Sequence, residues 1–139
     1  MAESDDHELA HRLATEAGAM LVDLRCQLTE EGATPAGLKA AGDRSAHLML
    51  MEALAEARPD DAVLSEEGRD NLGRLDADRV WIIDPLDGTS EFGQERADFA
   101  VHVALWRRDA AGGVGAVTDA AVDVPAVRET WRTDEQAAA

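Results

Sequence analysis

The chain has 139 residues, 45% hydrophobic and 30% charged, with a formal charge of −16 from 13 basic and 29 acidic side chains. That length fits one domain with a core of its own. The acidic excess argues against duplex nucleic acid or an anionic membrane surface as a partner, since both need a basic footprint. A phosphorylated ligand is still allowed, because bound cations or backbone N–H groups can reverse the local field.

The opening residues, Met1 to Glu8, lack the positive stretch and apolar core of a secretory signal. No apolar run approaches the ~20 residues that cross a bilayer. Cys26 is the only cysteine, so no intrachain disulfide forms and a reducing cytoplasm is the expected location. On a helix it reads as a buried, inert, small apolar residue.

From Ser4 to Leu28 the residues Leu9, Leu13, Ala17, Met20, Leu21, Leu24 and Leu28 recur at helical steps. Ser4, Asp5 or Asp6 can cap that helix. Glu30 to Gly37, with Gly, Thr and Pro, reads as a loop. A second helix is expected from Asp43 to Ala57, stopping before Pro59. Its centre, Leu48 to Met51, is apolar nearly all round, which implies cover on more than one side. The period then changes. Ala62 to Glu67 is a short apolar strand running into acids, and Val80 to Ile83 is a continuous apolar run read as a buried strand. Asp98 to Trp106 is a longer strand with Val101, Val103 and Leu105 on one face. Gly112 to Val122 and Ala126 to Trp131 are further strands, and the last residues form a tail. Helices first and strands after imply an α+β domain, with two N-terminal helices packed on a largely antiparallel sheet.

Two segments carry chemistry. Ser65-Glu66-Glu67-Gly68 ends one expected strand, and Asp84-Pro85-Leu86-Asp87-Gly88-Thr89 ends the next. If those strands are neighbours, Glu66, Glu67, Asp84 and Asp87 share one small volume. Carboxylates so crowded repel unless a cation neutralises them. All-oxygen donors suit Mg²⁺ or Mn²⁺ rather than zinc. A turn held by Pro85 would let Asp84 and Asp87 face the same ions and aim the Leu86 carbonyl inward. Gly88 to Phe92 reads as a helix start whose N–H groups can receive an anion, with the Thr89 hydroxyl placed to orient a water. His7, His11, His47 and His102 show no ligand spacing near these acids, and His7 with His11 reads as a solvated helix face rather than a zinc site.

The pairing of EEG with VWIIDPLDGTSEF resembles the inositol monophosphatase superfamily of lithium-sensitive, Mg²⁺-dependent phosphatases. VLSEEG, DPLDGT-x-EF and FAVHVALW together look most like its CysQ type, which removes the 3′-phosphate of 3′-phosphoadenosine 5′-phosphate in sulfur assimilation. The resemblance covers about Asp43 to Val122. It implies the N-terminal half of that family's layered α/β sandwich, as a single metal- and phosphate-binding domain over residues 1–139. It implies two or three Mg²⁺ ions, inhibition by Li⁺, a small phosphorylated substrate, and a possible homodimer.

Position by position, the resemblance makes Glu66 a ligand of a first metal, Asp84 a bridge, the Leu86 carbonyl a ligand of the first ion and Asp87 a ligand of the second. Glu66, Asp87, Gly88, Thr89 and Ser90 would contact substrate. Glu67 would act behind these ligands or near a third ion. Asp43, in AAGDRSAH, matches the acid that works with Thr89 to activate water; its plainer reading is a helix N-cap. Ser90 replaces the Lys or Arg usual in the CysQ type. The family's Trp-Asp motif, carried on a second α/β domain, has no counterpart, since Trp81, Trp106 and Trp131 precede Ile82, Arg107 and Arg132. Inositol-1-phosphate or sugar-phosphate hydrolysis is the alternative activity, and an inactive metal-binding fragment or interaction module is the alternative class.

Overall fold

The computed structural model describes residues 5–65, 77–109, 111 and 113–133. Helix α1 (Asp6–Glu30) opens on Asp5, whose carboxylate accepts from the Glu8 N–H at 3.0 Å. Leu9, Leu13, Ala17 and Leu21 form its buried stripe, with Ala10, Ala14 and Gly18 beside them. Cys26 lies off that stripe and is exposed, contrary to its reading as a buried residue. The helix ends where Gly32 turns left-handed (φ 85°) and the Ala33 N–H reaches back to Leu28 O at 3.0 Å.

Helix α2 (Pro35–Ala57) begins eight residues before Asp43, inside the segment read as a loop. The reason is local. Thr34 is its N-cap, accepting from the Gly37 N–H at 3.1 Å, and Pro35 sits in the first turn, where a missing N–H costs nothing. Asp43 is therefore an interior residue of the helix and not its N-cap. Leu38, Gly42, Ala46, Leu50 and Leu54 are buried at steps of four, whereas Leu48 is 47% exposed. Despite its apolar centre, α2 is covered along one side only.

The sheet holds β1 (Ala62–Ser65), β2 (Arg79–Asp87), β3 (Ala100–Arg107), β4 (Ala116–Val124) and β5 (Glu129–Arg132), laid side by side in that order. β1 pairs parallel with β2, and the other pairs are antiparallel. The α+β architecture with a largely antiparallel sheet is thus the one expected. α1 lies over β3 and β4, and α2 over β2 and the short helix α3 (Thr89–Gly93). Trp81, Ile83, Val101, Val103, Leu105 and Ala121 line the face beneath the helices. Ile82, Val117 and Trp131 are exposed on the other face, so the Val80 to Ile83 strand, with Val80, Trp81 and Ile83 buried, departs from full burial at Ile82. His7 is not simply solvated: its Nε2 lies 3.2 Å from Asp119 and its Nδ1 2.9 Å from the Thr133 hydroxyl. Among the described residues no helix is long and apolar enough to cross a membrane.

Candidate metal and phosphate site

β1 and β2 are neighbours and run the same way, so their C-terminal ends lie together, as the acidic segments require. The sequence reading made Asp84 to Asp87 a turn. The structure keeps it in β2, with a bulge: Asp84 pairs with His102 and Asp87 with Ala100, so a step of three on β2 meets a step of two on β3. Regular alternation sets residues three apart on opposite faces. The extra residue restores the phase and sets both aspartates on the side of His102. Pro85 fits there because a bulge tolerates the lost ladder N–H. The bulge therefore does what the expected turn was to do.

Asp84 is half-buried and Asp87 exposed. Between them Leu86 is buried, and its carbonyl accepts from the Thr89 hydroxyl at 3.3 Å. Gly88 is left-handed (φ 86°, ψ 44°) and caps α3, whose first turn closes with the Phe92 N–H on Gly88 O at 2.9 Å. Ser90 is exposed, its hydroxyl accepting from the Gln94 amide at 3.0 Å. A groove of about 370 Å³ opens here, lined by Asp87, Gly88, Glu91, Asp98, Phe99 and Val124 among others.

Asp43 belongs to this neighbourhood through α2. Its neighbour Gly42 packs so closely that an added Cβ would meet Phe92 Cε2 at 2.7 Å and Leu86 Cδ2 at 2.9 Å. Only glycine lets the helix approach the segment this nearly. α3 is clamped from the other side by Arg25, which donates to Phe92 O (3.1 Å) and Arg96 O (2.8 Å). Its guanidinium stacks over Phe92 and Phe99, and those rings meet edge to face at 5.0 Å. Burial lowers the Arg25 pKa from its usual value, opposed by the charge of Glu95.

Glu66 and Glu67 lie outside the described residues. Among the described residues no three acidic, His or Cys groups converge on a metal position. The donors present, two carboxylates on one face of β2 and a carbonyl between them, are all oxygen, which fits Mg²⁺. Two histidines at the site went unrecognised. His102 Nε2 lies 3.2 Å from Asp87 Oδ2, and His47 Nδ1 lies 3.0 Å from Ser65 Oγ. Strand alternation opposite Val101 and Val103 could have placed His102, and the spacing of four from Asp43 could have placed His47.

Residues 4–131 match the profile of the inositol monophosphatase family. The chain belongs to that family. It is 50% identical over 129 residues to the 3′-phosphoadenosine 5′-phosphate phosphatase of Mycobacterium leprae (strain TN), covering 90% of this chain and 47% of that relative. It is 38% identical over 100 residues to the inositol-1-monophosphatase of Rhizobium meliloti (strain 1021), covering 72% of this chain and 35% of the relative. Among solved structures, the extragenic suppressor protein suhB of Bartonella henselae superposes with a TM-score of 0.71 at 26% identity, covering 91% of this chain and 46% of that one. The chain thus spans less than half the length of the relatives it matches.

Proposed function

We propose that this chain carries the metal- and phosphate-binding half of a Mg²⁺-dependent phosphomonoesterase whose substrate is 3′-phosphoadenosine 5′-phosphate. The bulge in β2 carries the metal reading, because it sets Asp84 and Asp87 on one face with the Leu86 carbonyl between them. The half-identical mycobacterial relative supports the substrate.

Glu66, Asp84, Asp87 and the Leu86 carbonyl would hold two ions, and Glu67 would act behind them or at a third. Bound Mg²⁺ supplies charge stabilisation at a phosphoryl oxygen and makes water more acidic. Asp43 and the Thr89 hydroxyl would orient the attacking water, its proton passing to the Asp43 carboxylate as the ester P–O bond breaks and the departing oxygen takes a proton from solvent. The backbone N–H groups of Gly88 and Thr89 hold the phosphate, and Ser90 offers it a hydroxyl in place of a cation. Bringing water and phosphate together in this orientation removes much of the entropic barrier to their reaction.

The sheet face with Ile82, Val117 and Trp131 is the surface for the rest of the family's length or for a second copy of the chain. A reducing cytoplasm suits the exposed lone thiol of Cys26.

The test is phosphate release from 3′-phosphoadenosine 5′-phosphate and from inositol 1-phosphate, with Mg²⁺ and with Mg²⁺ plus Li⁺. Faster, Li⁺-sensitive release from the nucleotide supports the reading. Preference for inositol 1-phosphate moves the chain to the alternative activity. No release beside measurable Mg²⁺ binding identifies an inactive half. Asp84→Asn is expected to abolish Mg²⁺ binding, measured calorimetrically, because it removes a carboxylate that would serve both ions; unchanged affinity removes the metal assignment.

A further inference from the structure

His102 stands on β3 directly across from Asp84, yet its imidazole is hydrogen-bonded to Asp87, Nε2 to Oδ2, at 3.2 Å. The bulge makes this reach possible. Asp87 pairs with Ala100, two residues along β3 from His102, and residues two apart on a strand share a face. A diagonal neighbour across an antiparallel pair is within range of a ring of this length. On its β4 side the residue paired with His102 is Val122, whose side chain offers no hydrogen bond. Among the described residues, His102 is the one side chain bonded to the Asp87 carboxylate. An ionised carboxylate only accepts, so the facing Nε2 carries a hydrogen in whichever charge state the ring adopts. The bond engages Oδ2 and leaves Oδ1 for a cation.

The two side chains are 40% and 60% exposed, and a pair so open to water contributes little to stability. Its consequence lies in orientation. A carboxylate that swings freely must be ordered when an ion binds, and one already held loses less. Mg²⁺ prefers oxygen to imidazole, which leaves His102 a supporting part rather than that of a ligand.

We propose that His102 is a positioning residue for the metal centre, holding the Asp87 carboxylate so that its other oxygen faces the cation. This rests on the metal reading above. Groups that hold metal ligands from behind change affinity without touching the ion.

The test is calorimetric titration of the chain with MgCl₂ at a single pH, beside a melting curve of each metal-free variant. His102→Phe keeps a flat ring and removes the N–H. It weakens Mg²⁺ binding on the order of tenfold, the lower end of the range for such supporting groups, and leaves the metal-free midpoint near the parent's. His102→Gln recovers most of the affinity, because its amide nitrogen can stand where Nε2 does. A packing role for the ring would instead favour Phe over Gln. Should His102→Phe fail to fold, His102→Thr takes its place, since it suits a strand and is too short to reach Asp87. The proposal alone is overturned if the variant lacking the donor binds Mg²⁺ like the parent, or more tightly because the ring competes with the ion for Asp87. Affinity equally low in His102→Gln overturns it as well. A parent that binds no Mg²⁺, or whose binding survives Asp84→Asn, overturns the metal reading and the proposal with it.

Discussion

At the residue scale the site turns on Gly88. Its positive φ of 86° is a conformation that residues with a Cβ avoid, and a Cβ here would lie 2.9 Å from Asp98 O and 3.2 Å from Phe99 Cα. Both contacts are backbone, so no rotamer change relieves them. Gly88→Ala is expected to cost about 1–2 kcal/mol from the left-handed conformation alone, with the clash added. In thermal denaturation this lowers the melting temperature by several degrees, and an unchanged midpoint would contradict the geometry. Under the proposed function, Mg²⁺ and phosphate binding are expected to weaken with it, because Gly88 joins Asp87 to Thr89.

At the element scale, α3 is only five residues long and cannot hold itself together. α2 supports one side, and Arg25 of α1 supplies the other by satisfying two carbonyls of the α3 segment. Arg25→Met keeps most of the apolar contact with Phe92 and Phe99 but removes both charge-assisted bonds. The expected loss is about 1–3 kcal/mol, read as a lower urea midpoint at unchanged slope. A midpoint equal to the parent's would show that α3 is held by α2 alone. Gly42 and Arg25 meet at Phe92 of α3, which is distant in sequence from both, so nothing local announces either role.

At the scale of the whole molecule, buried ionic groups tie the layers and set the response to pH. Asp6 at the start of α1 meets Arg58 past the end of α2 and Arg79 at the start of β2, each at 3.0 Å. Arg79 also pairs with Asp61, which accepts from the Trp81 indole at 2.8 Å. Burial alone would raise the Asp6 pKa, but hydrogen bonds from Arg79 and Arg58 outweigh it and hold the carboxyl below its usual value. Its contribution is therefore full above the unfolded value of about 3.9 and is lost as pH falls through the lower folded value. Asp123, on β4 beneath α1, behaves oppositely. Burial pushes its pKa up, against the Thr130 hydrogen bond and the charge of His11. The stability tied to its protonated form is present at low pH and is lost as pH rises through the raised value. Asp123→Asn keeps the shape that fits against Gly18, so it should raise the melting temperature near neutral pH. That gain disappears below about pH 3, where the parent carboxyl is protonated as well. Melting curves across that range decide this, and a gain independent of pH would show that charge is not the cause.

Much of this was legible in the residues themselves. The stripe from Leu9 to Leu21, the alternation of Val101, Val103 and Leu105, and the paired acidic segments are short-range patterns, so periodicity gave the α+β layers and the chemistry of DPLDGT. The start of α2 is not legible in the residues because Thr34, Pro35 and Gly37 suit a turn as well as a capped helix, and a cap bond of 3.1 Å separates the two. The bulge at Pro85, the His102 and His47 contacts, and the exposure of Ile82 and Leu48 depend on which partner strand or helix lies alongside. Those partners are distant in sequence. The sequence alone determined what the elements are and which atoms could bind a cation; only the tertiary structure decided which of them meet, because register and packing are set between elements and not within them.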